Sequence, residues 1–339
     1  MFCEYYPEKV WERNGICKEL STKMSRPGTS RRNHNNYINS NGNGGAAKLT
    51  SFTFASYTVA CERHPDRNED SIVTDEKRGL AAVFDGVGGS AAGEVASRIA
   101  AHTTHEMWKH ILQAGQKGRK AHSILEDCDT VDLCAELERI ILEADEKVRT
   151  DGKQRAGTDD LATTVAIAAL CRNPDQKSYT LVYAHVGDSR IYLLPYGGSL
   201  KRLTSDDGLL AKLVENQVVN EAAALHIDQA MRADELTEME FSYFRLRGGI
   251  TQALGGPIQP MIHTSQISIS PGDRVLLCTD GIHDNLTDVE IEEILRSEAR
   301  TTIARLLVER SIERSHQDRH VTIRSKPDDM SAIVMTCRF

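Results

Sequence analysis

Apolar residues recur along this chain in two rhythms, one of strands and one of helices. Residues 52–61 alternate apolar and polar positions, the period of a half-buried strand. Leu80-Ala81-Ala82-Val83-Phe84 and Val275-Leu276-Leu277-Cys278 are unbroken apolar runs bounded by Gly and Asp, which predicts fully buried strands. Residues 161–171, 179–185 and 190–194 read as further strands. The last two are expected to pair as a hairpin through Gly187-Asp188-Ser189, good turn chemistry. A strand resumes at Ile267, and a final one through Ala332-Ile333-Val334-Met335 ends the chain at about Arg338. Helical spacing occupies 90–114, which opens on the small residues Ala91, Ala92, Ala96 and Ala100. It recurs over 131–148, where Leu133, Leu137, Ile140, Ile141 and Ala144 share a face. Residues 115–130 read as a polar loop, 208–247 as polar and mostly helical, and 288–314 as one helix. Blocks of strands around a helix pair, without regular βαβ alternation, predict an α+β layered fold.

The first 48 residues differ from the rest. Positions 21–47 are rich in Ser, Asn, Gly and Arg, as in Asn41-Gly42-Asn43-Gly44-Gly45, and cannot bury enough apolar surface to offset chain entropy. The expected organisation is a disordered arm over 1–48 and one globular domain over 49–339.

Several buried runs stop on an aspartate. Phe84 is followed by Asp85-Gly86, Cys278-Thr279 by Asp280-Gly281, and Val186-Gly187 by Asp188, while Asp328-Asp329 precedes the last run. If such carboxylates converge they repel, each close pair costing about 4 kcal/mol at 4 Å and an effective dielectric near 20. Several pairs would consume a domain's net stability of about 5–15 kcal/mol. Hard divalent cations with oxygen ligands relieve that repulsion, so the pattern predicts a metal enzyme.

Composition narrows the class. A net charge of −8 argues against sequence-independent nucleic-acid binding, and 40% hydrophobic residues suffice for a sizeable core. No stretch approaches the 18 or so apolar residues that a membrane span requires. The eight cysteines form no Cys-x-x-Cys pair and lie largely within apolar runs, which predicts free buried thiols and a cytoplasmic protein. Gly86-x-Gly88-x-x-Ala91 is compatible with a dinucleotide fingerprint, but no strand with a terminal acid follows the helix as that unit requires. Walker A, His-Glu-x-x-His and Gly-x-Ser-x-Gly motifs are absent from the sequence.

In order along 52–339, the motifs resemble those of the PPM-type (type 2C) metal-dependent serine/threonine phosphatases, particularly their bacterial branch. The resemblance rests on Asn68-Glu69-Asp70, Val83 through Gly89 with Ala92-Gly93-Glu94, Gly157-Thr158 with Ala162-Thr163-Thr164, and Val186 through Arg190. It continues through Leu203 to Asp207, Thr251-Gln252-Ala253-Leu254-Gly255, Pro271 through Gly281, and Pro327-Asp328-Asp329-Met330-Ser331. It implies a β-sandwich of two antiparallel sheets flanked by helices, in α-β-β-α layers, with the active site at one edge. It also implies that Asp85, the Gly86 carbonyl, Asp280 and Asp328 bind two Mg²⁺ or Mn²⁺ ions, supported by Glu69 and Asp70, with Asp188 at a third, weaker site. A flap over about 208–247 would influence substrate choice. The implied reaction is direct attack of a metal-bridging hydroxide on the phosphorus of phosphoserine or phosphothreonine. The implied partners are phosphorylated proteins made by a serine/threonine kinase, and the implied state is a monomer.

Three positions depart from the family pattern. Pro65 stands where the phosphate-binding arginine usually lies, leaving Arg63 or Arg67 to take that part, with Arg63 favoured. Val87 replaces a histidine common in eukaryotic members. Asp329 replaces the common asparagine, which is expected to add an outer-shell charge and nothing more. A catalytically silent, phosphoprotein-binding relative is the alternative reading.

Overall fold

The computed structural model describes residues 37–39, 52–88, 92–114, 125–126, 130–158, 160–173, 178–297 and 300–338. Two sheets pack face to face. The first follows the order β1 (Tyr37–Asn39), β3 (Asp70–Asp75), β4 (Leu80–Gly88), β7 (Val165–Arg172), β8 (Tyr179–Val186), β11 (His263–Ile269). Short strands β5 (Leu125–Glu126) and β6 (Leu161–Thr163) pair with β7 and β4. The second sheet runs β10 (Lys201–Arg202), β9 (Arg190–Leu194), β12 (Arg274–Cys278), β13 (Met330–Cys337), β2 (Phe52–Val59). All pairs are antiparallel except β1 with β3 and β5 with β7. Most of the expected arm, including 1–36 and 40–48, lies outside the described residues.

Burial on both faces explains the unbroken apolar runs. Ile72 and Val83 point between the sheets, toward Leu277, Ile333 and Met335. Their neighbours Val73 and Phe84 turn to the other face, where α1 (Ala92–Ala114) and α2 (Thr130–Lys147) cover the first sheet with Trp108, Leu137 and Ile140. On the far side, α8 (Asp288–Arg296) and α9 (Ile303–Ser315) cover Leu276 and Val334 with Ile291 and Leu307. The layers are therefore α-β-β-α.

The structure corrects several local expectations. β8 and β9 are not a hairpin: β8 pairs with β7 and β11, whereas β9 pairs with β12 and β10 in the other sheet. Gly187, with φ of +95°, turns the chain across the sandwich at that point. Residues 161–171 are divided at Thr164 into β6 and β7, which both pair with β4 in one register, and the Thr164 amide donates to the Asp85 carbonyl (2.9 Å) between them. Residues 288–314 form two helices. Arg274 on β12 donates to the Leu295 and Ser297 carbonyls and satisfies the end of α8. The strand β3 had no clear signature, since Asp70 and Asp75 bound a run of only four other residues. Cys61, Cys134, Cys278 and Cys337 are free, as expected, but Cys171 is disulfide-bonded to a partner outside the described residues.

Candidate active site

Antiparallel pairing brings the acidic strand ends to one edge. β3 begins and β4 ends there, with Asp70 directly opposite Asp85. In the second sheet β12 ends and β13 begins there, carrying Asp280 and Asp328 to the same edge. The two sheets are joined at this point by the Thr279 hydroxyl, which donates to Asp70 Oδ2 at 2.8 Å. Asp70, Asp85 and Asp280 are buried, at 1%, 5% and 1% exposure, and Asp328 is half-buried. Asp70 Oδ1 is also buried and makes no hydrogen bond of normal geometry.

Glycines permit the close approaches. A Cβ on Gly86 would strike the backbone carbonyls of Gly93 and Glu69, and one on Gly281 would strike the Asp329 carbonyl. These contacts draw α1 against the end of β4, and the short helix α7 (Asp280–His283) against the start of β13.

Asp188 lies at the crossing between the sheets, buried. It is tied to Asp85 through its neighbour: the Ser189 and Thr164 hydroxyls bond at 2.7 Å, and Thr164 Oγ1 accepts from the Asp85 amide at 3.2 Å. The Asp188 carbonyl accepts from His283 Nε2 (3.0 Å), which places the imidazole proton on that nitrogen. Burial, with Arg190 nearby, lowers the His283 pKa to about 4, so the ring is neutral.

The two arginines part company. Arg67 Nε sits 3.1 Å from Glu69 Oε1, whereas exposed Arg63 lines a cavity of about 330 Å³ with Cys61, His316 and Asp328. Burial pushes the Glu69 carboxyl up to about 7, against the pull of Arg67 and with the added push of Asp329. Burial and Asp329 likewise hold Asp70 well above the usual carboxylate range, with Thr279 opposing them.

Asp329 does more than add the outer-shell charge expected of it. It is buried, and its two oxygens accept from the Cys61 and Glu69 amides at 2.6 and 2.7 Å, pinning the β2–β3 loop to the start of β13. Two further residues escaped the sequence analysis. Lys326 Nζ lies 2.7 Å from Asp280 Oδ2, 2.5 Å from Asp284 Oδ2 and 3.2 Å from Asp328 Oδ2. Asp284 could have been found, because it lies one helical turn after Asp280. Among the described residues, no three Asp, Glu, His or Cys side chains already converge closely enough to hold an ion.

A sandwich flanked by helices, with buried carboxylates from both sheets at one edge, defines a class. The family model for protein phosphatase 2C matches residues 60–318, and the chain belongs to that family. Serine/threonine phosphatase stp of Listeria innocua is 25% identical over 234 residues, 69% of this chain and 78% of that protein. Serine/threonine protein phosphatase PstP of Mycobacterium tuberculosis is 28% identical over 230 residues, 68% of this chain and 36% of that protein. A crystal structure of the M. tuberculosis PstP superposes with a TM-score of 0.60 at 24% identity, covering 85% of this chain and 99% of that one. The PstP catalytic domain in complex with two manganese ions gives 0.59 at 23% identity, covering 85% and 99%.

Proposed function

We propose that the protein hydrolyses phosphoserine and phosphothreonine in proteins, with two divalent ions held at the acidic edge of the sandwich. The observation that supports this most directly is the placement of buried Asp70, Asp85 and Asp280 and half-buried Asp328, from two different sheets, at one edge. Membership of the protein phosphatase 2C family points to the same chemistry, and the named relatives are serine/threonine phosphatases.

The donor set fits such ions. All its atoms are oxygens, which suits Mg²⁺ and Mn²⁺. Asp70 Oδ1 is a buried acceptor awaiting a partner, and the cluster already draws one cation, the Lys326 ammonium. Asp85, the Gly86 carbonyl, Asp280 and Asp328 would hold the ions, with Glu69 and Asp70 behind them and Asp188 at a third, weaker position. Bound there, the ions supply Lewis acidity that acidifies water and offsets charge on the phosphoryl group. The chain's own groups do the rest. Arg63, which lines the same cavity as Asp328, would grip phosphoryl oxygens as a guanidinium fork. Thr279 orients Asp70, and Asp329 holds the Glu69 loop.

The substrate-selecting flap is the segment over about 208–247. Its end reaches the site: Arg247 donates to the Asp284 carbonyl (3.1 Å) and stacks on Phe244, its guanidinium 3.8 Å from the ring centroid. The substrates are proteins phosphorylated by a serine/threonine kinase, and the working unit is a monomer. No helix among the described residues is long and apolar enough to cross a membrane. A cytoplasmic location draws support from the four free cysteines, with Cys171 the exception.

Hydrolysis of p-nitrophenyl phosphate and of a phosphothreonine peptide, with Mn²⁺ or with chelator, tests the reading. Wild type should turn over both substrates when Mn²⁺ is present, and Asp280→Asn should lose on the order of 10²-fold or more. Metal-loaded, folded wild type that turns over neither would replace this function with that of a silent phosphoprotein-binding relative.

A further inference from the structure

The Lys326 ammonium is placed by the fold. Two residues before it, fully buried Arg324 donates to the carbonyls of Asp228, His283 and Leu286. The Lys326 backbone is then clamped by Asn285, itself fully buried. The Lys326 amide donates to Asn285 Oδ1 at 3.1 Å, and Asn285 Nδ2 donates to the Lys326 carbonyl at 2.8 Å and to the Gly281 carbonyl at 2.9 Å. One amide side chain thus fixes the root of Lys326 against the helical turn that carries Asp280 and Asp284. From that root the side chain delivers Nζ among Asp280, Asp284 and Asp328, and the site closes over it at Gly248, where an added Cβ would lie 3.7 Å from Nζ.

Two of these three carboxylates are the ones the proposed function gives to divalent ions. An ammonium bonded to a carboxylate and a divalent cation ligated by the same oxygen exclude one another by charge and by space. The third carboxylate differs. Asp284 also faces Arg247 (Nε to Oδ1, 3.4 Å), and the ion assignment leaves it free to keep Nζ.

We propose that Lys326 is a built-in competitor of the divalent ions. In the metal-free protein it neutralises Asp280 and Asp328, and on ion entry it withdraws to Asp284. It thereby weakens ion binding and makes occupancy depend on the free metal concentration. This rests on the assignment of Asp280 and Asp328 as ion ligands, and it adds a cation that the sequence motifs did not flag.

The test is Mn²⁺ binding, read by titration calorimetry and by the electron paramagnetic resonance signal of free Mn²⁺, with no turnover involved. Lys326→Met should bind Mn²⁺ about tenfold more tightly than wild type or better, a gain of about 1.4 kcal/mol. Asp284→Asn, which removes the place of withdrawal, should weaken binding in the wild-type background and change little in the Lys326→Met background, a coupling that a double-mutant cycle isolates. Melting in chelator should be lower for Lys326→Met than for wild type, and the order should reverse in saturating Mn²⁺. If Lys326→Met does not fold without metal, Lys326→Gln, which keeps a hydrogen-bond donor without the charge, carries the same comparison. Equal or weaker Mn²⁺ binding by the neutral variants, with wild type binding normally, overturns the competitor role and leaves the phosphatase reading standing. Wild type that binds no Mn²⁺ overturns both.

Discussion

Arg63 and Arg67 stand four residues apart on one loop, and their surroundings differ. Arg67 is half-buried and engaged by Glu69, while Arg63 is exposed on the wall of a cavity that reaches Asp328. A guanidinium already paired to a carboxylate loses that bond before it can take a phosphate. Arg63→Ala is therefore expected to lower kcat/KM for a phosphothreonine peptide by about tenfold to a hundredfold, the worth of a charge-assisted bond of about 1.5–3 kcal/mol. Arg67→Ala, which removes a partly exposed pair worth about 0–1 kcal/mol, should cost about fivefold at most. Steady-state kinetics of the two variants decides between them, and a larger loss at Arg67 would reverse the assignment. At this scale the sequence picked out candidate acids, because acids at the ends of apolar runs are conspicuous. It did not show what those acids touch. Asp329 and Lys326 sit within three residues of one another and look like ordinary loop charges. Burial makes Asp329 an anchor for backbone amides, and the Asn285 clamp on the Lys326 backbone sets that partly exposed side chain as a cation among carboxylates.

The elements that apolar periodicity defines well are those with long runs, and α1, α2, β4, β12 and β13 fall close to their expected bounds. What periodicity cannot give is which sheet a strand joins. The segment around Asp188 has turn chemistry suited to a hairpin, yet the chain crosses between sheets there, since Ile191 and Leu193 fill the interior against Val275 and Leu277. The flap shows the same limit. Its sequence reads as polar helix, but its middle helix α5 (Glu221–Gln229) carries Asp228, which is buried and accepts from Arg190 Nη2 at 2.9 Å. Arg190 also bonds Asp206. Burial alone would raise the Asp228 carboxyl, but Arg190 and Arg324 hold it far below the usual range. This ion cluster fastens the flap to β9. Asp228→Ala would leave Arg190 short of a buried partner, a class of change that costs about 3–5 kcal/mol. Denaturant unfolding should show that loss, and hydrogen exchange should rise across 208–247 ahead of the sheets. Unchanged exchange in the flap would mean that other contacts hold it.

Across the whole molecule, function and stability pull against one another at the acidic edge. Glu69, raised to about 7, together with Asp70 and Asp329, also raised, binds protons in the folded state that the unfolded chain gives up at lower pH. Unfolding then releases protons, so these groups lower stability as pH rises through the window from about 4.5 to 7. Metal-free protein in chelator should melt at a lower temperature at pH 7.5 than at pH 5.5, and Mn²⁺ should remove most of that difference by binding the ionised carboxylates. A melting temperature that climbs steadily over this range in chelator would mean that burial and the neighbouring acids do not raise these carboxyls as described. An α+β layered fold was legible in the blocks of apolar runs around a helix pair, while the α-β-β-α order was implied by the family resemblance. Of the candidate acids, Asp85, Asp280 and Asp328 were legible because they end or precede apolar runs, and antiparallel pairing sends those ends to one edge, whereas Asp70 begins a strand with no clear signature. The most direct test of that convergence is an anomalous-scattering map from crystals grown with Mn²⁺. Two strong peaks ligated directly by Asp85, Asp280 and Asp328, with Lys326 drawn back to Asp284, are the expected result. Manganese found away from these carboxylates, or absent from them in a well-ordered, Mn²⁺-saturated crystal, would contradict the account.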